Sequence, residues 1–326
     1  RLSFATGADL SINIYRRTLY QEYSTHVARN SSEVINSIIT KTNTVIGAIL
    51  TPVLILISST ILLIGIMTVL FIINISVALS ATIGFGLLYW GVIHYTRAQL
   101  EENSQCIANQ STMMVKSLQE GLGGIRDVLI DGSQQFYCQL YRNADYPLRK
   151  ASGINQFISN SPRYVMEAVG MTLIAAIAYV ITIQQEDSMT TAIPVLGALA
   201  LGAQRLLPVL QQAYGAYSNI RGSKSSFKDV LNLLEQPLPS YADQSLPPPI
   251  SFEKEIKLKN LSFRYSKETP WTLRELNLTL TKGARIGFMG VTGSGKSTLL
   301  DIIMGLLPPT EGEITIDGKT IDLENK

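Results

Sequence analysis

From Thr42 to Thr96 the chain carries no Asp, Glu, Lys or Arg. One membrane-crossing helix needs only about 20 apolar residues, so a stretch of this length holds two spans and a tight turn. The pattern predicts helices at about Val45 to Leu70 and Ile75 to Ile93, turning near Asn74 and Ser76. Pro52 falls inside the first, where a lipid-buried helix tolerates it because neighbouring groups satisfy the freed carbonyl. A second pair of spans is expected at about Ala168 to Ile183 and Met189 to Tyr214, separated by the acidic loop Gln184 to Ser188. Composition agrees with a lipid solvent: 46% of the 326 residues are hydrophobic and only 16% are charged.

Lys and Arg set the orientation. They flank the first pair at Arg16, Arg17, Arg29 and Lys41, fill the middle connection from Arg97 to Lys150, and follow the second pair at Arg221, Lys224 and Lys228. These three regions are therefore cytoplasmic, and the two turns, which lack Lys and Arg, face outside. A net charge of +2 with no basic block gives no footprint for nucleic acid. Cys106 and Cys138 have no metal-binding or redox spacing and read as reduced thiols.

The middle connection is too long for a turn. Ile107, Met114, Leu118, Leu122, Ile125 and Leu129 recur at helical steps and predict an apolar stripe on a helix that continues a span into the cytoplasm. Asp131-Gly132-Ser133 marks a break, after which a short amphipathic piece, Gln134 to Tyr141, and a returning helix are expected. Such a hairpin either packs on itself or carries a docking helix to a soluble domain. After Glu235 the runs Gln236-Pro237-Leu238-Pro239 and Pro247-Pro248-Pro249 make a stiff tether.

Beyond the tether, Gly290-Val291-Thr292-Gly293-Ser294-Gly295-Lys296-Ser297 fits the phosphate-loop pattern G-x-x-x-x-G-K-[ST] at every fixed position. Ala284 to Met289 reads as the buried strand before it, and Thr298 to Gly305 as the helix after it. Glycines let the backbone approach phosphate, and the loop and helix N–H groups donate to it. Lys296 is expected on the β- and γ-phosphates and Ser297 on Mg²⁺.

The run Ile256 to Tyr265, Leu273 to Gly283, the phosphate loop and Gly312 to Gly318 together closely resemble the opening of an ABC nucleotide-binding domain. The membrane half is similar to the exporters of that family. The resemblance implies ATP and Mg²⁺ as ligands, ATP contacts from Gly290 to Thr298, and adenine stacked on Tyr265. It implies coupling segments near Tyr20 to Arg29 and Asp131 to Tyr141, and a second exporter half as partner, the two being identical. Its glutamine loop, signature motif, catalytic Glu and switch His belong downstream of Lys326, and neither His26 nor His94 can replace the last. The expectation is a chain incomplete at both ends, lacking the first span and most of the second, and inactive in hydrolysis by itself.

The expected fold is thus an all-α transmembrane bundle with long cytoplasmic extensions, followed by the N-terminal part of an α/β P-loop NTPase domain. Residues 1–235 form the first domain, 236–251 the linker and 252–326 the second. The expected location is a bacterial-type inner membrane, with the nucleotide-binding domain in the cytoplasm.

For the substrate, Arg205, Pro208 and Gln212 share one helix face of the last span. Gln204 to Pro208 resembles the last span of lipid-linked oligosaccharide flippases. Arg205 therefore either meets a lipid pyrophosphate or snorkels to the inner interface, about 22 Å below the outer turn. Gln156, Asn160, Arg163 and Glu167 form a second polar stripe, with Arg163 and Glu167 able to pair; near the cytoplasmic edge this reads as an anchor. The reading is ATP-driven export or flipping of an amphipathic substrate, a polyprenyl-linked saccharide, by a protein in contact with membrane lipid. Export of drugs, other lipids or polysaccharide, and a membrane-tethered nucleotide sensor, are the alternatives.

Overall fold

The computed structural model describes residues 2–73, 75–184, 189–243 and 251–321. They form two compact units, Arg1–Tyr15 with Ser32–Glu235, and Arg16–Ser31 with Gln236–Lys326. The second unit thus includes a segment from near the chain's beginning, which composition alone assigns to the membrane half.

Helix α1 (Leu2–Leu19) and the short α2 (Tyr23–Ala28) come first. A nearly continuous helix follows: α3 (Ser31–Asn36), a π turn (Ser37–Lys41), α4 (Thr42–Val45), a second π turn (Ile46–Leu50) and α5 (Thr51–Ile73). Within it, Ser31–Ile72 is long and apolar enough to cross a membrane. Helix α6 (Ile75–Gly123) has 49 residues, about 74 Å at 1.5 Å each, against a hydrocarbon core of about 30 Å. The expected span Ile75 to Ile93 is its first part, and the rest forms the expected extension.

Helix α7 (Ile125–Asp131) ends where Gly132 adopts φ +66°, and the Ser133 N–H donates to the Val128 carbonyl at 3.1 Å. This left-handed cap closes a helix cheaply because glycine has no Cβ to clash. The break falls where the sequence puts it, but the short helix lies before the glycine. Gln134 to Tyr141 is no separate piece; it forms the first turns of α8 (Gln134–Asn160), which carries Pro147 inside it. No capping residue or glycine pair interrupts that segment, so the helix runs on to Ser161-Pro162. Helices α9 (Pro162–Gln184), α10 (Met189–Gly222) and α11 (Lys224–Leu234) complete the unit. The two remaining expected spans fall within α9 and α10. Asn74, Gln185 to Ser188 and Pro247 to Pro249 lie outside the described residues.

The apolar stripe expected on the extension of α6 is not its buried face. Leu118, Leu122 and Leu129 are exposed, whereas Leu100, Ser104, Ala108 and Ser111 are buried. Ser104 Oγ accepts the Ser225 N–H of α11 at 2.9 Å and Ser111 Oγ donates to Asn36 of α3 at 3.0 Å, while Asn103 donates to Asn155 of α8 at 2.7 Å. Two apolar clusters anchor the unit: Leu70, Ala78, Phe85, Met166 and Leu206, and Ile14, Val45, Ile49, Val230 and Leu233.

In the second unit, strands β1 (Glu255–Phe263), β2 (Leu273–Thr281), β3 (Glu311–Ile316) and β4 (Lys319–Thr320) form an antiparallel sheet ordered β2-β1-β3-β4. The β3–β4 turn, Asp317-Gly318, has both residues at positive φ, the geometry Asp-Gly hairpins favour. Helix α12 (Lys296–Ile303) packs Leu299 and Ile302 on Leu258, Leu261, Phe263 and Ile314, and Tyr23 of the α2 segment joins this cluster. Ala284 to Met289 is not a strand: it is irregular, with Ile286 and Met289 exposed. A buried parallel strand needs a hydrogen-bonded neighbour on each side, and among the described residues every strand pairing is antiparallel and belongs to the sheet above.

Candidate functional site

The phosphate loop precedes α12. Gly295 caps that helix at φ +83°, and a Cβ there would meet the Thr272 carbonyl oxygen at 3.0 Å, so only glycine fits. The first i to i−4 bond of the helix runs from the Leu299 N–H to the Gly295 carbonyl at 2.9 Å. The N–H groups of Lys296, Ser297 and Thr298 therefore have no partner within the helix and point out of its positive end. Lys296 folds back over the loop, its ammonium donating to the carbonyls of Gly290 and Val291, each at 2.8 Å. Ser297 and the loop from Gly290 to Ser294 are exposed.

Tyr265, two residues past the end of β1, is brought to this loop although 31 residues separate it from Lys296. Its hydroxyl lies 2.9 Å from Thr298 Oγ1 in the first turn of α12, and its ring is half exposed, set edge-on against Phe263 at 5.0 Å. The aromatic face and the phosphate loop thus share one surface. Nearby, the guanidinium of Arg264 stacks over Trp271, 4.6 Å from the ring centre, a contact the sequence reading missed.

The first unit holds a groove of about 970 Å³ between α5, the α8–α9 junction and α10. Pro208 and Gln212 line it, together with Asn160, Arg163, Glu167 and Gln204. Arg205 is exposed and is not among the lining residues. Arg163 bonds Glu167, Nε to Oε1, at 2.9 Å, and Gln211 Nε2 reaches the same oxygen at 3.5 Å. The polar stripe read as an anchor therefore faces the same groove as the α10 face, which only the packing of α9 against α10 reveals. Helical periodicity along α10 from Gln204 through Gln211 to Asn219 was the available signal.

Residues 4–197 match the ABC transporter transmembrane region, and residues 273–326 match the ABC transporter family. The ATP-dependent lipid A-core flippase of Paraburkholderia xenovorans is 22% identical over 320 residues, covering 96% of this chain and 52% of that protein. The energy-coupling factor transporter ATP-binding protein EcfA1 of Mycoplasmopsis pulmonis is 46% identical over 71 residues, which is 22% of this chain and 27% of that protein. A bacterial Atm1-family ABC exporter with ATP bound has the same fold, at a TM-score of 0.73 and 18% identity over 98% of this chain and 56% of that one. The chain spans about half the length of the flippase and exporter relatives it matches.

Proposed function

Because this chain belongs to the ABC transporter family, and is accordingly a membrane protein, we propose that it contributes to ATP-driven export or flipping of an amphiphile. The observation that carries the reading is the convergence of Lys296, the first turn of α12 and the half-exposed ring of Tyr265, in a chain that also has, at Ser31–Ile72, a helix long and apolar enough to cross a bilayer. In this proposal the α12 N–H groups and Lys296 hold the ATP phosphates, with contacts from Gly290 through Thr298, and Tyr265 stacks on adenine. To reach a phosphate, Lys296 exchanges its two carbonyl acceptors for charged oxygens, a stronger acceptor set.

Ser297 suits Mg²⁺: it is exposed in the first turn beside the loop, and a hydroxyl is a hard oxygen ligand. The ion supplies neutralisation of phosphate charge when bound. A second exporter half as partner, and an inner membrane with the second unit in the cytoplasm, complete the reading. Support comes from the Lys and Arg distribution and from the family.

The substrate class is a lipid-linked saccharide. The flippase relatives are named for lipid A-core, and the groove combines polar and apolar walls. Arg205, outside the groove lining, is assigned to a phosphate of the lipid carrier. The test is binding of a fluorescent ATP analogue and ATP-dependent flipping by the native protein in liposomes, for the wild type and for Lys296→Ala. Loss of both in the variant supports the proposal. Nucleotide binding without any flipping in the wild type would instead favour a membrane-tethered sensor.

A further inference from the structure

We infer that the groove of the first unit reads an uncharged, hydroxyl-rich headgroup, a saccharide, and offers no seat for a phosphate. This rests on the reading of the chain as a transporter of amphiphiles and adds which chemistry it selects. The groove of about 970 Å³ meets a second cavity of about 540 Å³, Asn160 and Asn219 lining both. Both volumes lie in the range of small-molecule sites, about 300–1,000 Å³. Among the described lining residues of the two cavities, only Arg163 and Glu167 are ionisable, and they are bonded to each other. Their charges cancel, so a phosphate approaching Arg163 must displace a carboxylate and then lie beside it.

The remaining polar surface is neutral. The carboxamides of Asn160, Gln204, Gln212 and Asn219 are exposed along the groove, and the second cavity continues with serines, Asn155 and Gln156. Each carboxamide presents two donors and one acceptor, the complement of hydroxyl groups that donate and accept together. Exposed carboxamides exchange water for ligand hydroxyls without leaving a buried group unpaired. Pro52, Ile55, Met171 and Leu207 give the same groove an apolar wall, against which the C–H faces of sugar rings pack.

The experiment uses the native protein in phosphatidylcholine nanodiscs with photoreactive alkyl probes of one chain length, bearing maltose, phosphate or diphosphate. Half-saturation of labelling at the groove residues of α9 and α10 is read, in an Arg205→Gln background so that its proposed phosphate contact does not contribute. The maltose probe is expected to label at concentrations about tenfold lower than either anionic probe, and Asn160→Leu with Gln212→Leu to remove about tenfold of that advantage. Glu167→Gln, which leaves Arg163 uncompensated, is expected to improve labelling by the phosphate probe severalfold, a gain that a misfolded variant cannot give. Equal or better labelling by the anionic probes with the groove unaltered, no labelling by any probe, or no change in either variant would overturn the inference. Nucleotide binding on the same preparations separates the two readings. Its loss overturns the transporter reading, whereas lost headgroup preference with nucleotide binding intact overturns this inference alone.

Discussion

Replacing Asp229 by Asn is expected to destabilise the first unit far more than replacing Lys41 by Met, although each removes the same ion pair. Lys41 lies in the π turn at the entrance to the first span, with its side chain only 4% exposed, and its ammonium meets Asp229 of α11 at 2.5 Å. The Asp229 side chain is 34% exposed. At this distance the attraction is roughly 7 kcal/mol at an effective dielectric near 20, and dehydration of both groups offsets much of it. Asp229→Asn leaves an ammonium where water barely reaches, a change that costs about 3–5 kcal/mol. Lys41→Met keeps an unbranched stem of similar shape and leaves a carboxylate that water already touches, costing about 1–2 kcal/mol. For a unit of this size, about 2–4 °C per kcal/mol makes the first change about 6–20 °C and the second about 2–8 °C. The double variant should melt close to Lys41→Met alone, a coupling of about 3 kcal/mol or more. Thermal unfolding in detergent, followed through Trp90 of α6, reads the cycle. Equal melting temperatures for the two single variants, or a lower one for Lys41→Met, would refute the argument from unequal burial.

Three further outcomes are expected. Asp317 accepts the N–H groups of Glu253, Lys254 and Glu255 at 2.6–2.8 Å, which hold its carboxyl below the usual range. Its stabilisation is therefore complete above the unfolded value of about 3.9 and is lost as pH falls through the lower folded value. Acid unfolding of the second unit, followed by Trp271 fluorescence, should lose that step in Asp317→Asn; identical acid curves would contradict it. Ile302 is fully buried beneath the sheet, so Ile302→Ala should cost about 2–5 kcal/mol of second-unit stability in urea unfolding, and a cost under about 1 kcal/mol would mean that α12 is loosely packed. Arg205→Gln should slow flipping of a pyrophosphate-linked saccharide severalfold relative to a neutral glycolipid, and equal effects on both would return Arg205 to the role of interface anchor.

Much of the architecture was legible because its causes are local. A run without charge calls for spans, and the cluster Asp131-Gly132-Ser133 marks the break at Gly132. The motif from Gly290 to Ser297 marks a loop and the helix that follows it, and α12 begins at its Lys296. The failures were not local. Ala284 to Met289 has the composition of a buried strand, but a strand exists only when another strand accepts its hydrogen bonds. The stripe from Ile107 to Leu129 has helical period, yet the buried face is the small one of Ser104, Ala108 and Ser111, where Ser104 meets α11 and Ser111 meets α3, because packing rewards fit as well as apolarity. Short helix α7 and long helix α8 exchanged their expected roles for a similar reason: the sequence marks the stop but not which side of it continues.

The sequence by itself determined that this chain crosses a membrane, that a helix breaks at Gly132, and that a phosphate loop follows a proline-rich tether. Each of these depends on composition or spacing within a few tens of residues. The tertiary structure decided that Tyr265 lies against Thr298, that Lys41 meets Asp229 across 188 positions, and that Arg163, Glu167, Gln204 and Gln212 face one groove while Arg205 does not. Those placements depend on which helix faces meet, and steric fit between distant segments settles that only once the whole unit has packed.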